Sequence, residues 1–166
     1  KGPWLVPGHS MDEIDRASFQ AGPSPLDRKA IHVKLRRSGS ADTRHATPET
    51  RSLDGTWQLA EGGEARERVR TDWDDAIPAA VPGSVHAALE AAGRLPDQTF
   101  GRNQEIAQEA SYKTWWMKRT FERPAGEGPF TLNFDGVCNV CTVWLNGRKL
   151  GGHEGMFGGP AFDVTD

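Results

Sequence analysis

From Ser52 onward the chain alternates apolar and polar positions with the period of two that a half-buried β-strand requires. "GTWQLA" puts Trp57 and Leu59 on one face. "TWWMKRTF" sets Trp115, Met117 and Phe121 against Trp116, Lys118 and Thr120, with Arg119 interrupting the apolar side. "FTLNFDG" sends Phe130, Leu132 and Phe134 one way and Thr131, Asn133 and Asp135 the other. "NVCTVWL" is apolar on both faces, the pattern of a central strand in a sandwich. Asn146-Gly147 follows, two residues that tolerate positive φ, so "WLNGRKL" predicts a hairpin with a two-residue primed turn returning through Lys149 and Leu150. No internal repeat is visible.

One stretch breaks the two-residue period. In "AAVPGSVHAALEAAGRLPD" (79–97), Pro82-Gly83 makes a turn and Ser84 can cap a helix. Val85, Ala88, Leu89 and Ala92 then share a face, and Gly93 can close the far end. A helix near 84–92 is too short to stand alone, so it is expected to cover apolar side chains at an end or face of the sheets. His86 beside that face reads as a hydrogen-bonded packing residue, since no nucleophile for it to activate is near in the sequence.

Composition and charge change the picture before Ser52. Residues 27–51 hold seven Lys/Arg against three acids, whereas 52–166 hold eleven against seventeen. Segments such as "AGPSPLDRK" and "RSGSADTRHATPETRS" are rich in Pro, Gly, Ser and Thr and cannot repay their ordering entropy by burial. Residues 1–50 therefore read as a largely irregular N-terminal extension, with one edge strand at 30–36 where "KAIHVKL" alternates, and 51–166 read as the domain. Basic residues without interleaved aromatics offer bases nothing to stack on, so no nucleic acid is expected. The formal charge of -3 argues for no anionic membrane partner. No apolar run approaches the roughly eighteen residues of a membrane span, and "KGPWLVPGHS" lacks the apolar stretch of a signal peptide. A signal already removed would leave no trace, so neither a cytoplasmic nor a secreted location is implied.

Candidate chemistry is sparse. Cys138 and Cys141 have the spacing of a redox pair or half a zinc site, but the flanking residues supply neither a helix N-terminus nor further ligands. On a strand, residues three apart point to opposite faces, so the two thiols are expected to be reduced, buried and metal-free. The five histidines show no ligand spacing. "TDWDDA", with Asp72, Asp74 and Asp75 around Trp73, reads as a solvated loop pinned by a buried Trp in preference to a cation or sugar site. No catalytic residue, metal or cofactor is expected.

The order "LDGTWQL", "VPGSVHAAL", "FGRNQE", "WWMKRTF" and "FDGVCNVCTVWLNGRKLGGHEGMFGGPAFDVTD" resembles the N-terminal sugar-binding domain of glycoside hydrolase family 2, in its β-mannosidase-like branch. The resemblance covers about residues 52–166. It implies an all-β fold, a jelly-roll, galactose-binding-like β-sandwich with one short helix, and its closing strands are expected beyond "FDVTD". It further implies that the chain is the first part of a retaining exo-β-glycosidase with immunoglobulin-like sandwiches and a (β/α)₈ barrel. In such enzymes two barrel carboxylates, about 5 Å apart, act as acid/base and nucleophile. A barrel needs about 250 residues, so no Glu of this chain is assigned to catalysis and the chain by itself is expected to be an inactive scaffold. Its partners on this reading are the remaining parent domains and, through the parent, a β-glycoside. The "VPGSVH" turn and helix belong to the scaffold. Two side chains are candidates for touching sugar: Asn103, in the "FGRNQE" loop, and Trp116. Cys138 stands where the family pattern has an acidic residue, which alters the sugar-facing detail. The alternatives are a free-standing carbohydrate-binding module using exposed Trp73, Trp116 or Trp144 as platforms, and a purely structural interaction domain.

Overall fold

The computed structural model describes residues 15–21, 33–37, 50–62, 64, 73–124 and 129–165. Among these described residues ten strands and two helices follow in the order β1 (Asp15–Ala21), β2 (Val33–Arg37), β3 (Thr50–Ser52), β4 (Gly55–Glu61), β5 (Ile77–Val81), α1 (Val85–Ala91), α2 (Asn103–Ser111), β6 (Trp115–Phe121), β7 (Phe130–Phe134), β8 (Val140–Leu145), β9 (Arg148–Glu154) and β10 (Ala161–Asp163). They form an antiparallel sandwich. One sheet has six strands ordered β5-β4-β6-β1-β8-β9, and the other has four ordered β10-β7-β2-β3.

The alternation read from sequence decides which side chains meet between the sheets. Trp57 and Leu59 of β4, Trp115, Met117 and Phe121 of β6, and Cys141, Val143 and Leu145 of β8 face Leu35 of β2 and Phe130, Leu132 and Phe134 of β7 in one buried cluster. Polar tips within it are satisfied, as burial demands: the Trp57 indole donates to the Leu53 carbonyl at 2.9 Å, and the Trp115 indole to that of Ala110 at 2.8 Å. The β8–β9 hairpin turns at Asn146 (φ 50) and Gly147 (φ 79), the left-handed pair of a primed turn. Opposite Val143 and Trp144 the ladder shifts register by one residue, a bulge at Leu150.

α1 forms where expected. The Ser84 hydroxyl accepts from the Ala87 amide at 3.1 Å, while Ala88 and Leu89 are buried. Its end is a Schellman closure, with the amides of Gly93 and Arg94 donating to the carbonyls of Glu90 and Leu89. Ala92 falls outside the helix as the cap and is exposed.

Three expectations are corrected. A second helix, α2, stands where a loop was read at "FGRNQE", so the described residues hold two helices where one was expected. The signal was weak because the residues α2 buries are small, Ala107, Ala110 and Ser111, and its cap, Arg102, makes no side-chain cap bond. The strand expected at the edge, 30–36, is β2 at Val33–Arg37 and lies inside its sheet, paired to both β3 and β7. The segment 1–50 is not merely an irregular extension, since β1 fills the slot between β6 and β8 in the larger sheet. That slot is held by backbone ladders on both sides, which need no strong apolar alternation in the strand that occupies it.

No helix among the described residues is long and apolar enough to cross a membrane.

Candidate functional site

β6 is buried on both faces. Trp115, Met117 and Phe121 enter the inner core, and the alternate residues Trp116 and Lys118 lie on the outer face of the larger sheet. There Trp116 joins Ala60 of β4, Trp144 of β8 and Trp73 from the β4–β5 connection in a second, smaller core. The rings of Trp116 and Trp144 lie 4.9 Å apart at 44°. Lys118 is also buried, its ammonium 4.4 Å from the centroid of Trp73, so the charge sits against an aromatic face. Beyond it a shallow cleft of about 580 Å³ opens, lined by Thr56, Gln58, Pro78, Lys118 and Thr120 among others.

This arrangement corrects the expectation for Trp116. Its side chain is 0% exposed, and Trp73 and Trp144 are buried with it, so none of the three presents a ring face on which a sugar could stack. The indole N–H of Trp116 has no hydrogen-bond partner among the described residues. The reading of "TDWDDA" fits what is described of it: Trp73 is buried, Asp74 and Asp75 are exposed, and Asp72 lies outside the described residues.

Asn103 opens α2 and is half-buried. Its amide nitrogen donates to the Asp97 carbonyl at 2.8 Å, tying the helix start to the turn before it. Within that turn the Asp97 carboxylate accepts from the Thr99 hydroxyl at 2.6 Å and the Thr99 amide at 2.8 Å. These bonds, the hydroxyl first, hold the Asp97 carboxyl below its ordinary range. Arg102 and Glu105 form a two-toothed ion pair at 2.7 and 2.8 Å across the start of α2. The loop's polar groups therefore serve one another.

His86 is held between the helices. Its Nε2 lies 2.9 Å from the Ala107 carbonyl and 3.3 Å from the Ser111 hydroxyl. The structure thus supplies a hydroxyl that sequence spacing did not reveal. It does not make a nucleophile: a ring nitrogen facing a carbonyl at that distance carries the hydrogen and cannot take the proton of Ser111. His86 is a packing residue, as read.

Cys138 and Cys141 are free and buried. Cys138 lies before β8 and not on it, so the opposite-face argument does not apply to that residue. Burial pushes the Cys141 thiol up to about 11, with the backbone N–H of His153 partly offsetting it. No group of three or more His, Cys, Asp or Glu among the described residues could hold a metal ion.

One residue acquires a role that the alternation gave only as an irregularity. Arg119 donates from one guanidinium nitrogen to the carbonyls of Leu53 at 2.8 Å and Asp54 at 2.6 Å, fastening the bend between β3 and β4.

Comparison with known proteins follows the same residues. Residues 57–166 match the family described as "Glycosyl hydrolase 2 galactose-binding domain-like". The chain is 30% identical over 118 residues to the beta-mannosidase of Mus musculus, a stretch covering 69% of this chain and 12% of that protein. It is 32% identical over 110 residues to beta-mannosidase B of Aspergillus fumigatus, covering 64% of this chain and 13% of the other. With the mannosylglycoprotein endo-beta-mannosidase of Lilium longiflorum it shares 33% over 96 residues, 54% and 10% of the respective chains. No solved structure matches. The stretch shared with the mouse and Aspergillus relatives thus spans only 12% and 13% of their length.

Proposed function

The chain belongs to the galactose-binding-like domain family of glycosyl hydrolase 2, and on that footing we propose that it is the non-catalytic N-terminal domain of a retaining exo-β-glycosidase acting on β-mannosides. The observation that carries this reading is where the family-matched residues lie. Trp57, Leu59, Leu132 and Val143 fall within the matched stretch and are at most 1% exposed in the sandwich core, which supports a structural role for that stretch. The sandwich is the scaffold on which the parent's other domains rest, and the acid/base and nucleophile belong to those domains. A retaining enzyme holds the two carboxyl groups about 5 to 5.5 Å apart on either side of the scissile bond. β-Mannoside is the substrate class because the relatives reported above carry that activity in their names.

Within this scaffold Asn103 serves its own loop through the Asp97 carbonyl. The test is to assay the 166-residue chain and the full-length protein on aryl β-mannoside and related aryl glycosides, each with and without Asn103→Ala. Activity is expected only in the full-length protein, with Asn103→Ala lowering Tm and leaving KM unchanged. Turnover by the 166-residue chain refutes the scaffold reading. A raised KM at constant Tm instead puts Asn103 at the substrate.

A further inference from the structure

The β9–β10 connection presents apolar side chains outward on a backbone that is tied down at every side. Phe157 is 79% exposed and Met156 54%. Val140, at the open end of the β8–β9 hairpin where it pairs with Glu154, is 41% exposed. Beneath them the Gly155 amide donates to the Asn139 carbonyl at 2.7 Å, the Val137 amide to that of Gly158 at 3.0 Å, and the Phe134 amide to that of Pro160 at 3.0 Å. Gly159 lies so close to β7 that a Cβ there would meet the Phe134 carbonyl oxygen at 2.3 Å, so no larger residue fits without moving the strand. A loop held in this way displays Phe157 and Met156 in a fixed place. An aromatic and a thioether on a preorganised backbone are what an interface anchor requires, because little ordering entropy remains to be lost on docking.

We infer that this loop is the knob by which the sandwich docks onto an adjoining domain of the full-length protein, inserting Phe157 and Met156 into a concave, uncharged, apolar pocket. The inference rests on the proposed function, since it takes its occupant from there. The relatives supply the argument for that occupant: the shared stretch covers 12% and 13% of the mouse and Aspergillus proteins, so most of each lies outside this domain.

The test is oxidation footprinting with hydrogen peroxide, reading Met156 sulfoxide by mass spectrometry in the 166-residue chain and in the full-length protein. Met117 is 3% exposed and serves as the protected internal reference. Met156 is expected to oxidise about tenfold more slowly in the full-length protein, because thioether oxidation follows exposure. Phe157→Ser in the full-length protein is expected to restore most of the fast rate while leaving the Tm of the 166-residue chain unchanged. Equal rates in the two wild-type proteins overturn the inference and leave the proposed function standing. A gene encoding no further domain overturns both. Protection of Met156 that grows with concentration in the 166-residue chain places a second copy on the loop and also overturns it.

Discussion

Arg119 occupies a position on β6 where the alternation calls for an apolar side chain, and it spends its guanidinium on two backbone carbonyls instead. Removing it takes one donor from each of the Leu53 and Asp54 carbonyls, while the Trp57 indole still donates to that of Leu53. Arg119→Ala is therefore expected to cost about 1 to 2 kcal/mol, the worth of one or two lost hydrogen bonds to a charged donor, and urea unfolding reads it. Arg119→Lys should recover only part, since an ammonium offers a point charge in place of the rigid fork. Cys141 behaves in the opposite way, as a titratable group that packs best uncharged. Its thiol sits near 11 in the fold against an ordinary value of 9.0. The unfolded chain therefore releases this proton first as pH rises. The thiol's contribution is complete below pH 9 and disappears between about 9 and 11. Cys141→Ala should show a shallower decline in stability across that window than the wild type, measured by urea unfolding at each pH.

Among the elements, those whose own side chains carry the signal were legible in the sequence. β7 shows its buried face as plain alternation, β6 shows its inner face as alternation broken by Arg119, α1 announces itself by Ser84, and the β8–β9 turn by Asn146-Gly147. Ser84→Ala is expected to cost about 1 kcal/mol, the usual worth of an N-cap hydroxyl, in thermal or urea unfolding. Elements fixed by their neighbours stayed hidden. α2 buries Ala107, Ala110 and Ser111, too small to draw a hydrophobic stripe, and β1 owes its place to the ladders of β6 and β8. The same limit explains the candidate site. The sequence places Trp116 on the outer face of β6, but only the fold shows that Trp73 arrives from another connection to cover that face. Two short turns share one device that is easy to pass over: Asp97 accepts from Thr99, and Asp163 from Thr165, each through hydroxyl and amide. Both carboxyls are held below their ordinary value, chiefly by the threonine hydroxyls. Their contribution is present above pH 3.8, the ordinary value, and is lost as pH falls through the lower folded values. The double variant Asp97→Asn, Asp163→Asn should flatten the dependence of Tm on pH as the pH falls below 3.8.

At the scale of the whole molecule β6 ties two cores into one. Its inner residues pack between the sheets and its outer ones under Trp73, so neither core can loosen without disturbing the same strand. Trp116→Ala is expected to cost about 3 to 5 kcal/mol, the range for truncating a fully buried indole. Indole fluorescence from the outer face and backbone circular dichroism should still fall in one coincident transition. Two separate midpoints would show that the outer cluster is an independent unit. The topology sets a further demand, one of timing. Asp15 of β1 lies opposite Phe121 of β6, and Ala21 opposite Cys141 of β8. β1 thus belongs between two strands made roughly a hundred residues later, which at roughly 5 to 20 residues per second is a wait of about 5 to 20 seconds. Until β6 and β8 emerge, β1 has neither of its ladder partners and both of its edges are unpaired.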